Sequence, residues 1–254
     1  MRRQANTHGA VVRLGLVAVS LGFCAAGLIS CTGDGEGLNE VGDPINAIEV
    51  VSIGPTKDNT LYENTAGLIG NGSGQYFFTG RTGSGEIRRG VIAFDIARSI
   101  PAGSRVTNAT LTLHLSREPG IGGPESIELH RVLADWGEGT SDAPANEGGG
   151  TPATPGDATW IHTFSDTGFW SSPGGDFSQT VSASQAVDAI GFYTWSGPGL
   201  VADLQSWLDN PQDNFGWIMT GNESAPLTAK RFDTRENAET SFRPQLSVEY
   251  ESEQ

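Results

Sequence analysis

Residues 87–115 read IRRGVIAFDIARSIPAGSRVTNATLTLHL, and this stretch decides the fold class. Val91, Ala93 and Asp95 alternate with Ile92, Phe94 and Ile96, while Leu111, Leu113 and Leu115 alternate with Thr110, Thr112 and His114. A period of two belongs to extended chain, whose successive side chains point to opposite faces. Between the two runs, Pro101 fixes its own φ and Gly103 tolerates a positive one, so residues 99–103 are turn chemistry. A strand with Ile92, Phe94 and Ile96 on one side must bury that side. The stretch therefore predicts a β-sandwich or barrel with Phe94 and Leu113 in its core.

Outward from it, short apolar runs recur between Gly-, Pro- and Ser-rich loops. Strands are expected at 45–53, 76–78, 126–132, 158–164, 177–181, 191–195, 215–219, 229–234 and 246–250. The one helical pattern is 198–210, where Leu200, Val201, Leu204, Trp207 and Leu208 share a face and Asn210-Pro211 ends the run. Many short strands with one helix predict an all-β, jelly-roll-like antiparallel sandwich forming a single domain over 45–251.

The N-terminus has a different composition. Arg2, Arg3 and Arg13 accompany an apolar run at 14–29 that is too short to span a bilayer, and Leu28-Ile29-Ser30-Cys31 follows. The tetrapeptide resembles a bacterial lipobox. Residues 1–30 are thus expected to be a lipoprotein signal peptide, with Cys31 lipidated and 31–44 a flexible acidic tether. This implies a lipid-anchored protein of the bacterial cell envelope, periplasmic or at the cell surface, whose membrane contact is the Cys31 anchor. With Cys24 removed and Cys31 acylated, no thiol remains for a disulfide, so the fold relies on its core. The full chain carries a formal charge of −15, and cleavage removes three arginines and no acid. Such a surface disfavours nucleic acid and favours divalent cations and neutral ligands.

Taken in order, these segments resemble the DNRLRE-domain family of exported β-sandwich modules. Asp58-Asn59-Thr60-Leu61-Tyr62-Glu63 is similar to the motif behind the family's name, departing at Thr60 and Tyr62. The similarity continues through RGVIAFDI (89–96), IPAG (100–103), ATLTL (109–113), the helix ending in Trp207, NFGW (214–217) and RPQLSVEY (243–250). The resemblance implies a jelly-roll sandwich related to carbohydrate-binding modules, with a binding rather than catalytic role. It implies no residue-level site, and it departs from the family's common pattern in having no attached enzyme domain.

Enzyme signatures are missing: the sequence holds no G-x-S-x-G, no Walker loop, no H-E-x-x-H and no cysteine cluster. His114, His130 and His162 are each expected within strands as half-buried packing residues. The loop at 135–157 is long, polar and glycine-rich, a kind that is functional or mobile. Its Asp135, Glu138, Asp142 and Glu147 supply the oxygen ligands that calcium prefers and are candidate ligands for a structural Ca2+, the alternative being a solvated acidic loop, since the spacing is not that of an EF-hand.

Trp136 and Trp170 lie at loop edges, where indole faces can either stack on sugar rings or plug the end of the sandwich, whereas Trp207 and Trp217 read as core and Trp160 and Trp195 as either. Arg231 and Arg235, with Lys230 and Arg243, are candidate anchors for an acidic sugar or members of an ion-paired rim. The leading expectation is a non-catalytic envelope protein that binds polysaccharide through its loops. The alternative is a structural or adhesive module with protein partners and no sugar ligand. A lyase or glycosidase ranks third, because nothing fixes the separation of any carboxylate pair.

Overall fold

The computed structural model describes residues 47–120 and 123–252. The segments expected to be a signal peptide and a tether, and the expected lipidation site Cys31, lie outside the described residues. The strands are β1 (Ile48–Ile53), β2 (Lys57–Tyr62), β3 (Ile69–Gly70), β4 (Tyr76–Arg81), β5 (Ile87–Ala93), β6 (Arg105–Arg117) and β7 (Glu125–Val132). They continue with β8 (Thr151–Pro152), β9 (Phe177–Val187), β10 (Gly191–Ser196), β11 (Trp217–Thr220), β12 (Lys230–Asp233) and β13 (Gln245–Glu251). Helix α1 (Ile96–Ser99) is a single turn, and α2 (Pro198–Asp209) is the one helix of more than one turn among the described residues. Among the described residues strand accounts for 41% and helix for 11%, so the protein has an all-β, sandwich-like fold.

One layer is built on β6. It pairs with β10 along one edge, and with β13 and then β12 along the other. The second layer is built on β5, which pairs with β2 on one edge and with β11 on the other, and the layer continues through β7 to β9. Every pairing is antiparallel. β4 joins the layers, since Tyr76 to Thr79 pair with β12 while Gly80 and Arg81 pair with β5. Between the layers lies an apolar core that includes Ile92, Phe94, Leu111, Leu113, Leu115, Trp207 and Trp217. Trp195 also belongs to it.

The defining stretch thus forms strands, yet β5 and β6 do not pair with each other. They sit in opposite layers, and Ile96 departs from the expected strand: Asp95 accepts the Arg98 N–H and caps the one-turn helix α1. Helix α2 follows the expected register, burying Leu200, Leu204, Trp207 and Leu208. Residues 158–164 do not form the expected strand; they make an irregular turn with one isolated bridge between Phe164 and Gly168.

The largest departure concerns the long loop. Residues 133–176 fold over the outer face of β2, β5 and β11 and enclose a second apolar cluster of Leu61, Val91, Ala93, Trp136, Ala158, Trp160, Trp170 and Ile218. This cover explains why β5 is buried on both faces, with Val91 turned to the cover and Ile92 to the main core. It also explains β2, where Asp58, Asn59 and Thr60 are all buried. The cover holds little periodic apolar sequence, so backbone groups and buried polar side chains pin it. Asn59 Nδ2 donates to the Glu138 carbonyl at 2.8 Å, and the Glu147 carboxylate accepts from Asn71 Nδ2 and from the N–H groups of Gln75 and Tyr76. At Gly139, φ is +75° and a Cβ would stand 1.6 Å from Asp157 Oδ1, so this close approach requires glycine.

Candidate functional site

The structure corrects the tryptophan platform expected from sequence. Trp136 is 1% exposed, and its Nε1 donates to the Phe215 carbonyl at 2.8 Å. Trp170 is buried as well, donating to the Thr159 carbonyl at 2.9 Å. Both plug the space beneath the cover, and neither presents a free face for a sugar. Trp160 joins them there. The exposed aromatic ring of the cover is Phe169, at 68%.

The expected calcium set is likewise dispersed. Asp135 is exposed and pairs with Lys57 Nζ at 2.9 Å. Asp142 is exposed, and buried Glu147 is satisfied by the three donors described above. Only Glu138 lies among other carboxylates, and its neighbours are Asp58 and Glu236 rather than the rest of the loop's acids.

The expected arginine cluster also divides. Arg235 donates through Nε to Glu138 Oε1 at 2.7 Å and pairs with Glu236, so it is committed to carboxylates. Lys230 is buried and Arg243 Nε donates to the Asn237 carbonyl, so neither joins Arg231. The three histidines stay apart. His114 meets Asp233 and stacks on Phe242, His130 meets the Ser178 carbonyl, and His162 meets Thr159 Oγ1. His162 belongs to the turn at 158–164 rather than to a strand.

Arg231 does face a site. A groove of about 380 Å³ is lined by Phe78, Arg88, Arg117, Asn146, Leu227 and Arg231 together with short loop segments and Glu118. Its size falls in the range of small-ligand sites, roughly 300–1,000 Å³. Strand register builds it. Arg231 on β12 lies opposite Arg117 on β6, at a bulge where the pairing shifts between Arg231 and Phe232. Like charges directly opposite are destabilising in a sheet. Among the described residues, no salt bridge engages Arg88, Arg117 or Arg231.

Two of the groove's guanidinium groups, Arg231 and Arg88, are held by rings and neutral acceptors rather than by salt bridges, although Asp233 and Glu147 act on Arg231 and Glu86 and Glu63 on Arg88 from farther off. Arg231 lies 3.7 Å from the Tyr76 ring centroid and donates through Nε to Ser116 Oγ. Burial lowers its pKa from the usual arginine value, and the Arg117 charge adds to that depression. Arg88 is buried over the Tyr62 ring at 4.9 Å, donates to the Gly148 and Ile87 carbonyls, and is lowered mainly by burial. A guanidinium remains protonated at neutral pH through such depressions. The arrangement can therefore offer planar donors to carboxylate or sulfate groups, beside an apolar wall of Phe78 and Leu227.

Sequence reasoning singled out Arg231 but neither Arg88 nor Arg117. No family model matches the chain, and no curated protein matches it.

Proposed function

We propose that this protein is a non-catalytic module of the bacterial envelope, anchored through Cys31, that binds an acidic polysaccharide in the groove lined by Arg88, Arg117 and Arg231. The observation that carries this reading is the opposition of Arg117 and Arg231 across strands, a like-charge pair that no salt bridge engages among the described residues. In a chain of formal charge −15, a basic groove fits an anionic ligand whose charges are spaced along a chain. Uronic-acid polymers have that chemistry, with C–H faces for Phe78 and Leu227. The resemblance to DNRLRE-domain modules is consistent with this role.

A glycan array comparing wild type with Arg117→Ala and Arg231→Ala tests the reading. Each variant should weaken binding to polyuronates about tenfold or more, since a charge-assisted hydrogen bond contributes about 1.5–3 kcal/mol. Binding that is absent in wild type, or unchanged in both variants, overturns it. The second reading, an adhesive module with protein partners, draws on Phe169 and Leu68, which are 68% and 63% exposed beside a hollow of about 410 Å³. It gains if no glycan binds.

A further inference from the structure

Three carboxylates converge where β2, the cover and the segment following β12 meet. One carboxylate oxygen from each of Asp58, Glu138 and Glu236 lies within 4.8 Å of the other two. Asp58 is 1% exposed, and Glu138 and Glu236 are partly buried. Asp58 Oδ2 accepts the backbone N–H of Arg235 at 2.9 Å, but its Oδ1 has no hydrogen-bond partner among the described residues. The same is true of the buried Oε2 of Glu236. Buried polar atoms are almost always partnered, and a bare carboxylate oxygen is the costliest kind to leave unpartnered.

The charges do not balance either. Arg235 Nε donates to Glu138 Oε1, and its Nη2 reaches both Glu138 and Glu236. Arg243 acts on Glu236 only as a weaker, secondary charge, and its Nε is already bonded to the Asn237 carbonyl. One guanidinium thus serves three carboxylates, a formal excess of two negative charges, with all three ionised, in a largely buried space. Burial, with Glu236 next in effect, holds Asp58 well above the usual carboxylate range, and burial pushes Glu236 up to about 7.

We propose that Asp58, Glu138 and Glu236 hold a hard divalent cation, Ca2+, which ties the cover to β2 and to the segment following β12. Calcium takes oxygen ligands at about 2.3–2.6 Å, so oxygens on one ion stand within roughly 5 Å of one another, as these three do. Its charge of two matches the excess. Calcium takes about six to eight ligands, and the partial exposure of Glu138 and Glu236 leaves room for water to complete the shell. An all-carboxylate set on irregular backbone suits calcium better than zinc, which prefers nitrogen and sulfur. The ion would satisfy the orphaned oxygens and lock a cover that has few apolar anchors of its own.

Equilibrium dialysis of the metal-stripped full chain with radiolabelled calcium tests the proposal, with thermal melting in calcium or chelator as a second readout. One ion per chain should bind, and the melting temperature should rise with calcium and fall on chelation. Glu236→Gln, at the partly exposed side, should fold and weaken binding about tenfold or more. Asp135→Asn/Asp142→Asn removes two acids of the same cover outside the cluster and should leave binding unchanged. The proposal is overturned if stripped wild type binds no calcium, if Glu236→Gln binds it as wild type does, or if the Asp135→Asn/Asp142→Asn variant loses it.

Discussion

The two buried regions of this protein are built by opposite means. Between the sheets, Leu111, Leu113, Leu115, Ile92 and Phe94 form a dry core with one prominent buried acid, Asp203, whose carboxylate accepts the Trp217 indole N–H at 2.7 Å. Beneath the cover, apolar plugs alternate with buried Asp58, Asn59, Asn71, Glu147 and Asp157, and hydrogen bonds to backbone carry the assembly. The dry region depends on volume and the wet region on partners. Losing a side chain in the first leaves a cavity, while losing one in the second leaves donors and acceptors stranded.

Removing Trp217 is the most severe way to break the comparison. Trp217→Ala empties the space beside Trp207, 4.6 Å away between centroids, and removes the indole donor from the Asp203 carboxylate. Urea unfolding should show a loss of about 3–5 kcal/mol or no folded protein; a loss below about 1 kcal/mol would mean the inter-sheet core is not the dominant one. Asn59→Ala removes no comparable volume, yet it deprives the Glu138 carbonyl and the Asn71 N–H of their partner. It should cost about 1–3 kcal/mol, with protease sensitivity appearing first in residues 133–176. Cleavage spread evenly over the chain would show that the cover is not pinned separately.

A smaller effect separates the regions by pH. Burial raises the Asp203 pKa, opposed by its Ser182 and Trp217 hydrogen bonds and by the Arg131 charge. A carboxyl whose folded pKa is raised binds a proton in the folded state that the unfolded chain has released. Its contribution to stability is therefore full below the unfolded value and is lost as pH rises through the folded one. Asp203→Asn keeps an acceptor for the indole, so its urea-unfolding profile should decline less between pH 4 and neutrality than that of wild type. Parallel profiles would remove Asp203 from the account.

Much of the dry region was legible in the sequence because a period of two survives in β5 and β6 and a period near 3.6 in α2. What periodicity could not convey is that β5 and β6 face each other from different layers. The wet region was misread for a physical reason. Polar residues in β2 are ordinarily solvent-facing, and their burial depends on a distant glycine-rich segment with no repeating pattern of its own. The available signal was Trp136, Trp160 and Trp170 within one loop, too much aromatic surface to leave in water. Of the candidate sites, Arg231 was legible from its charge. Its facing partner Arg117 depends on a register between strands far apart in sequence.

Hydrogen–deuterium exchange in the presence and absence of a soluble polyuronate tests the central claim, that ligand is met at the basic groove while the cover is structural. The account predicts that bound polyuronate slows exchange at the C-terminal end of β6, at Thr82-Gly83, at residues 146–148 and around Leu227, and leaves residues 151–176 unchanged. Protection confined to residues 151–176, with the groove segments unaffected, would contradict it.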